Sequence, residues 1–353
     1  MSVNTYYQWH EAQWKALWQR PETLHHALLL AGPAGVGKGR FAEALAARFL
    51  CESPKGDQAC GVCEACHWFA TGNHPDFRKI GLESDEPEEE EGAKPAKSAK
   101  AAKKTAPSTQ IKIEQVRGLE DFIYVGSHRQ GRRVVIIEPA EAMNVAAANA
   151  LLKVLEEPPP NVHFLMVSSK WRSLLPTLIS RCRRITFGVP ETAAAVAWLQ
   201  EQGVKDAEQN LRLAGGSPLT ALQQAEKGRG DGAASFIASL AAGVADPIAA
   251  AAQWDSLIRA QADFSNEALV DTLQKWLHDL TRVANGSTPR FLTAQQAALT
   301  RIAGACNPER LLRFNRELLK IRATARHPLN PQLFLEDLAA RYALATAASR
   351  AQR

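Results

Sequence analysis

Ala27-Leu28-Leu29-Leu30-Ala31-Gly32-Pro33-Ala34-Gly35-Val36-Gly37-Lys38 is the stretch that decides the fold. An unbroken apolar run cut off by glycines reads as a parallel strand buried on both faces. Phe41, Leu45 and Phe49 then recur every four residues and mark the inner face of a helix. Between the two, residues 32–38 fit G-x-x-x-x-G-K. Gly32, Gly35 and Gly37 let backbone N–H groups turn inward around phosphate oxygens. The helix start adds its positive dipole, and Lys38 reaches the terminal phosphates. A glycine-rich turn without a ligand is the plainer reading, but the strand–loop–helix setting favours a phosphate loop. Either ATP or ADP suits it. One position breaks the pattern: Gly39 stands where a Ser or Thr hydroxyl would bind Mg²⁺.

Further along, Val134-Val135-Ile136-Ile137, His163-Phe164-Leu165-Met166-Val167 and Ile185-Thr186-Phe187 give three more strands. Ile113, Val116, Leu119 and Phe122-Ile123 mark a helix. A second runs from about Asn144 to Glu156 and must stop at Pro158-Pro159-Pro160. Its expected sheet-facing side is Val145, Ala148, Leu151-Leu152 and Leu155, with Asn149 and Lys153 on the polar side. Strand alternating with helix predicts an α/β domain with a parallel sheet covered on both faces. After Pro190 the chain is Ala/Leu-rich and helical, broken at Gly215-Gly216-Ser217-Pro218 and again over Gly228 to Gly232. Boundaries are therefore expected near 189 and 230. The three domains are an α/β unit over 1–189, a small helical domain over 190–230 and an all-α domain over 231–353, where Leu269, Leu273, Trp276-Leu277 and Leu280 repeat.

At 353 residues with 22% charged side chains, the chain suits several folded domains, not a fibre or a disordered tail. A net charge of +5 is too small to argue for a nucleic-acid binder by itself. No apolar run reaches the length of a membrane helix, and the N-terminus lacks a secretory pattern. Over 81–110, seven acids from Glu83 to Glu91 precede five lysines from Lys94 to Lys104. That stretch has too few apolar residues to offset its ordering entropy and is expected to be a disordered insertion. Trp9, Trp14 and Trp18 fall at helical spacing and are expected in the core.

Cys51, Cys60, Cys63 and Cys66 form C-x8-C-x2-C-x2-C, a spacing that lets four thiolates surround a tetrahedral Zn²⁺. Redox use needs only one pair, and reduced thiols without metal are the bland alternative. A four-thiolate site leaves no position for water, so its role is structural. Nearby His67 and His74 are surplus to it. Such a cluster suits a reducing, cytoplasmic setting. Cys182 and Cys306 stand apart.

The carboxylates that should serve the phosphate loop are altered. A motor ATPase ends its second apolar strand in Asp-Glu, for Mg²⁺ and for activating water. Here the strand ends in Glu138-Pro139, and Pro139 has no proton-accepting group. Glu141 is expected to point elsewhere. The loop therefore looks inherited and the hydrolytic machinery lost.

The phosphate loop, the cysteine spacing, Ala147-Ala148-Asn149-Ala150-Leu151-Leu152-Lys153 leading to Leu155-Glu156-Glu157-Pro158-Pro159, and Ser180-Arg181-Cys182 together resemble the AAA+ sliding-clamp loaders of bacterial DNA polymerase III. The resemblance covers about residues 20–220 by motif. In the last third only Pro331 to Tyr342 has the character of the family's collar helix. It implies an AAA+ domain with an inserted zinc module, a helical lid and an oligomerisation collar. The implied partners are the gamma/tau motor subunits and the delta subunit in a five-subunit ring, the sliding clamp and primed DNA, with no membrane. Gly39, Glu138-Pro139 and Gly216-Ser217-Pro218-Leu219, which lacks the lid arginine, depart from the motor type. They imply its non-hydrolysing counterpart, which carries Arg181 as a finger acting in trans on a neighbour's ATP. Two readings compete: an active ATPase motor in which Glu138 and Glu141 compensate, and a zinc-dependent nucleic-acid-binding module.

Overall fold

A computed structural model describes residues 5–21, 24–82, 110–124, 131–227, 229–261, 264–325 and 330–348. The disordered insertion expected over 81–110 lies almost wholly outside them. The chain divides into two compact units, one ending at Val189 and the other beginning at Pro190.

The first unit is built on a parallel sheet of β1 (Ala27–Ala31), β2 (Phe77–Ile80), β3 (Arg133–Ile137), β4 (Val162–Ser168) and β5 (Arg183–Thr186), in the order β2-β3-β4-β1-β5. Every residue of β1 and β3 is buried, as an unbroken apolar run requires. Alternate residues serve opposite layers. Leu28, Leu30, Val134, Ile136 and Leu165 pack with α1 (Glu11–Trp18), α2 (Lys38–Leu50) and α3 (Glu64–Ala70). Leu29, Val135, Ile137, Phe164 and Met166 pack with α4 (Ile113–Arg117), α5 (Leu119–Tyr124), α6 (Val145–Glu156) and α7 (Pro176–Ser180).

Four details differ from expectation. Strand β2 is new: Phe77-Arg78-Lys79-Ile80 is an edge strand with two exposed basic residues, so no apolar run announces it. Strand β5 begins at Arg183, two residues before the Ile185 start read from the sequence. The helix expected through Ile123 is two helices, which meet at Gly118. In α6 the N-cap is Asn144, whose side chain accepts the Ala147 N–H at 2.8 Å. Val145 then falls in the first turn and is 66% exposed, while Ala147, Ala148, Leu151, Val154 and Leu155 fill the core.

The second unit is helical throughout its described residues. The helices α8 (Thr192–Glu201), α9 (Ala207–Leu213) and α10 (Pro218–Glu226) share a small core of Ala195, Leu199, Ala207, Leu211 and Ala221. A larger core around Trp254, Trp276 and Tyr342 joins α11 (Arg229–Ala242), α12 (Pro247–Ala260), α13 (Asn266–Ala284), α14 (Gln296–Ala305), α15 (Pro308–Thr324) and α16 (Pro331–Thr346). Three helix starts are written as a capping Asp or Asn followed by proline: Asp246-Pro247, Asn307-Pro308 and Asn330-Pro331. The capping side chain accepts two backbone N–H groups at Asp246 and Asn330 and one at Asn307. The break expected over Gly228–Gly232 falls between α10, which ends at Glu226, and α11, which begins at Arg229; Gly228 lies outside the described residues, and Gly232 is already in the first turn of α11. Gly232 is there for packing, since a Cβ would overlap Gln261 and the Phe264 ring. Among the described residues no helix is long and apolar enough to cross a membrane.

Asp279, fully buried in α13, accepts the backbone N–H groups of Arg290, Phe291 and Leu292 at 2.7–2.8 Å and so fixes the loop into α14. Asp279→Ala should destabilise the unit by about 3 kcal/mol, because a charged acceptor goes and three donors lose it together. Asp279→Asn should cost less. Urea unfolding followed by tryptophan fluorescence measures both, and a loss under about 1 kcal/mol for the alanine variant would mean the loop finds other acceptors.

Candidate functional site

The phosphate loop turns sharply because its glycines allow it. Gly35 and Gly37 have φ of 71° and 98°, and Gly37 is the N-cap of α2. A Cβ at Gly37 would overlap the Tyr7 ring, and one at Gly32 the carbonyl of Phe187. Tyr7 stacks on Trp9 at 4.7 Å, and the Trp9 indole N–H donates to the Val36 carbonyl at 3.0 Å. Trp14 is a core residue and Trp18 is half-buried against Phe49, whereas Trp9 braces the loop. Lys38 is 4% exposed, and its ammonium donates to Pro33 O and, at 3.2 Å, to Ser169 Oγ. Burial lowers its pKa, against the opposing pull of Glu141 and Glu138.

The two carboxylates sit differently from expectation. A 3-10 turn over Ala140–Ala142 brings Glu141 back, and its oxygens accept the Ser169 N–H at 3.1 and 3.3 Å. Glu141 therefore does face the loop's neighbourhood, through the residue that also holds Lys38. Glu138 leans over Gly39, where its carboxylate occupies the volume of a Cβ. Its other contact is Lys79 Nζ at 3.2 Å, which also meets Glu43 at 2.8 Å. Lys79, Ser169 and Tyr7 carry no motif in the sequence, and only the fold brings them to the loop.

All four Sγ atoms of Cys51, Cys60, Cys63 and Cys66 lie within 4.8 Å of one another. The contacts Cys51–Cys63 at 4.0 Å and Cys60–Cys66 at 3.9 Å match the edge of a tetrahedron with Zn–S bonds, about 3.8 Å. Backbone N–H groups point at the sulfurs: Cys60 N to Cys51 Sγ at 3.2 Å, Cys63 N to Cys60 Sγ at 3.3 Å, Cys66 N to Cys63 Sγ at 3.5 Å. The Val62 and Cys63 N–H groups bring the Cys60 thiol down to about 6, while burial raises Cys51 and Cys66. The cluster can hold a metal ion. His67 is exposed, and buried His74 accepts the Asp76 N–H through Nδ1 at 3.1 Å.

Arg181 caps α7. Ser180 Oγ donates to Thr177 O at 2.9 Å and Cys182 Sγ to Leu178 O at 3.0 Å, so its neighbours fix the turn from which it projects. Burial pushes the Cys182 thiol up to about 12, which makes it a packing residue. The Arg181 guanidinium donates to Thr177 O at 2.9 Å and pairs with Glu156 at 2.6 Å, with 36% of the side chain exposed. Asn149 and Lys153, one turn apart on α6, are both exposed. In the second unit, Gly215 and Gly216 end α9 with φ of 68° and 88°, and Pro218 opens α10.

A family model described as DNA polymerase III, delta subunit, matches residues 10–191, more than half of the chain. A Pseudomonas aeruginosa protein named DNA polymerase III subunit delta' is 42% identical over 61% of this chain and 60% of its own. A Haemophilus influenzae protein of the same name is 31% identical over 58% and 56%. The matches thus span less than two thirds of these relatives. A gamma subunit-related protein from Thermotoga maritima aligns with 18% identity and a TM-score of 0.44, over 95% of this chain and 99% of that one.

The thiol geometry predicts one tetrahedral metal per chain. Co²⁺ added to metal-free protein should give the intense visible bands of a four-thiolate site, and Zn²⁺ should bleach them. Cys60→Ser should weaken metal binding by at least about tenfold, and acid should release the ion, because the ligands are thiolates. Visible titration checks all three. A spectrum without thiolate bands would rule the site out.

Proposed function

For a chain that belongs to the DNA polymerase III delta subunit family, we propose the role of a non-hydrolysing, stator-like subunit of the replicative clamp loader. In this reading it helps open the sliding clamp and load it on primed DNA, within a ring containing the gamma/tau motor subunits and delta. The observation that carries the non-hydrolysing part is the end of β3. Pro139 offers no group to take a proton from water, and Glu138 is drawn off to Lys79. The Cys51, Cys60, Cys63 and Cys66 cluster is assigned a structural Zn²⁺. It staples the segment between α2 and α3 and has no free coordination position for chemistry. ATP or ADP is the expected occupant of the loop formed by Gly32, Gly35, Gly37, Lys38 and Gly39. Residues 190–230 are assigned as the lid and 231–353 as the collar.

Arg181 is assigned the trans-acting role. Its guanidinium is partly exposed and its backbone is held by the hydrogen bonds of Ser180 and Cys182. A guanidinium so mounted can reach an anion on another subunit once it leaves Glu156. Stabilising transition-state charge on a γ-phosphate is worth on the order of 10³–10⁵ in rate where such fingers act. The active-motor reading draws on one observation, the return of Glu141 toward Ser169 and Lys38. Both its oxygens accept the same N–H, which leaves it poorly placed to activate water.

Steady-state ATP hydrolysis separates the two. The chain alone should be silent. In a loader reconstituted with motor subunits, delta, clamp and primed DNA, Arg181→Ala should slow turnover by roughly tenfold or more. Turnover by the chain alone that Lys38→Ala abolishes would replace the stator with a motor.

A further inference from the structure

The AAA+ fold implies a Mg²⁺ between the residue after the loop lysine and the carboxylate that ends β3. The residues here do not fit one. Gly39 supplies no hydroxyl, and a side chain added there would have to push the Glu138 carboxylate aside, because its Cβ would overlap Oε1 of Glu138 and come within 2.8 Å of Oε2. The Glu138 carboxylate is already engaged by a cation of the chain's own. Lys79 reaches it from β2, the neighbouring strand, with Nζ 3.2 Å from Oε2. The same ammonium meets Glu43 at 2.8 Å, and Glu43 lies one turn beyond Gly39 on α2. Strand, helix and loop thus converge on one positive charge beside the phosphate loop.

We infer that Lys79 is the resident cation of this site: its ammonium takes the carboxylate that Mg²⁺ takes in a hydrolysing phosphate loop, so this loop handles phosphate groups without a divalent metal. The inference rests on the reading of the loop as an inherited nucleotide site. Its chemistry follows from what an ammonium is. It donates hydrogen bonds and accepts none, so it can neutralise Glu138 and attract phosphate oxygens, but it cannot coordinate or polarise a water. Mg²⁺ needs a near-octahedral shell of oxygens, and here a dication would meet a like charge instead. Burial works to lower the pKa of Lys79, yet Glu43 and Glu138 outweigh it and raise the value, so the group stays charged. The metal's absence of fit and the lost hydroxyl are then one arrangement: Gly39 makes room for the longer Glu138, and Glu138 reaches Lys79.

The test is nucleotide affinity with and without metal, using the full chain and methylanthraniloyl-ATP fluorescence in excess Mg²⁺ or in EDTA. Wild type should bind equally in both, within about twofold, and failure to bind in either condition overturns the inference. A ligand-competent background, Gly39→Ser with Glu138→Asp, is then made with Lys79 kept and with Lys79→Met. Mg²⁺ should tighten binding by about tenfold or more only where Lys79 is gone, and Lys79→Arg should behave as Lys79. Thermal melting monitors folding, and Lys79→Gln serves as the neutral variant if the methionine version aggregates. Mg²⁺ tightening in wild type overturns the inference. So does equal behaviour of the two backgrounds, whether both gain metal dependence or neither does. Mg²⁺-dependent binding by wild type without turnover would sink this inference and leave the stator reading standing, whereas turnover by wild type would sink the stator reading itself.

Discussion

Much of the first unit follows from the complete burial of β1. A strand whose every side chain is enclosed can present only its end to solvent, so the chain must leave the sheet there at once. Glycines make that exit possible in few residues, and α2 begins at Lys38 with its first N–H groups facing the strand ends. The ends of β3 and β4 lie in the same crevice and deliver Glu138 and Ser169 to it. The site is a by-product of how a parallel sheet must finish.

Charge in that crevice is balanced internally. Lys38, nearly fully buried, is held by a carbonyl and a hydroxyl, with Glu141 one hydrogen bond further away. Lys79 and two carboxylates balance each other nearer the surface. A phosphate loop of a working ATPase is organised round an ion that comes and goes with the nucleotide. Here the positive charge arrives on a strand and stays.

The sequence made the central strands, the helix after the loop and the cysteine cluster readable, because each depends on local pattern: an apolar run, a four-residue period, a thiol spacing. Edge strand β2 was illegible because Arg78 and Lys79 face solvent and leave no apolar signature. The break before α11 was readable, but its extension to Gly232 was not right, because glycine signals both turns and close packing, and only the Phe264 ring decides which. The surroundings of Lys38 escaped for a different reason. Tyr7, Lys79, Glu141 and Ser169 are far apart in the chain and meet only through strand order, which no spacing encodes. Departures from the motif at Gly39 and Pro139 could be seen, but what fills the space at Gly39 could not.

The contact between Gly39 and Glu138 has a consequence for descent. A serine at 39 would push the Glu138 carboxylate out of the volume it occupies and so away from Lys79. Shortening residue 138 first makes room, but the shorter side chain gives up its reach to Lys79, so that intermediate loses an ion pair before any metal ligand is gained. Either first step, a hydroxyl at 39 or a shorter side chain at 138, loosens the pair with Lys79 before a metal site is complete. A lineage that took this path would find it easier to continue than to reverse.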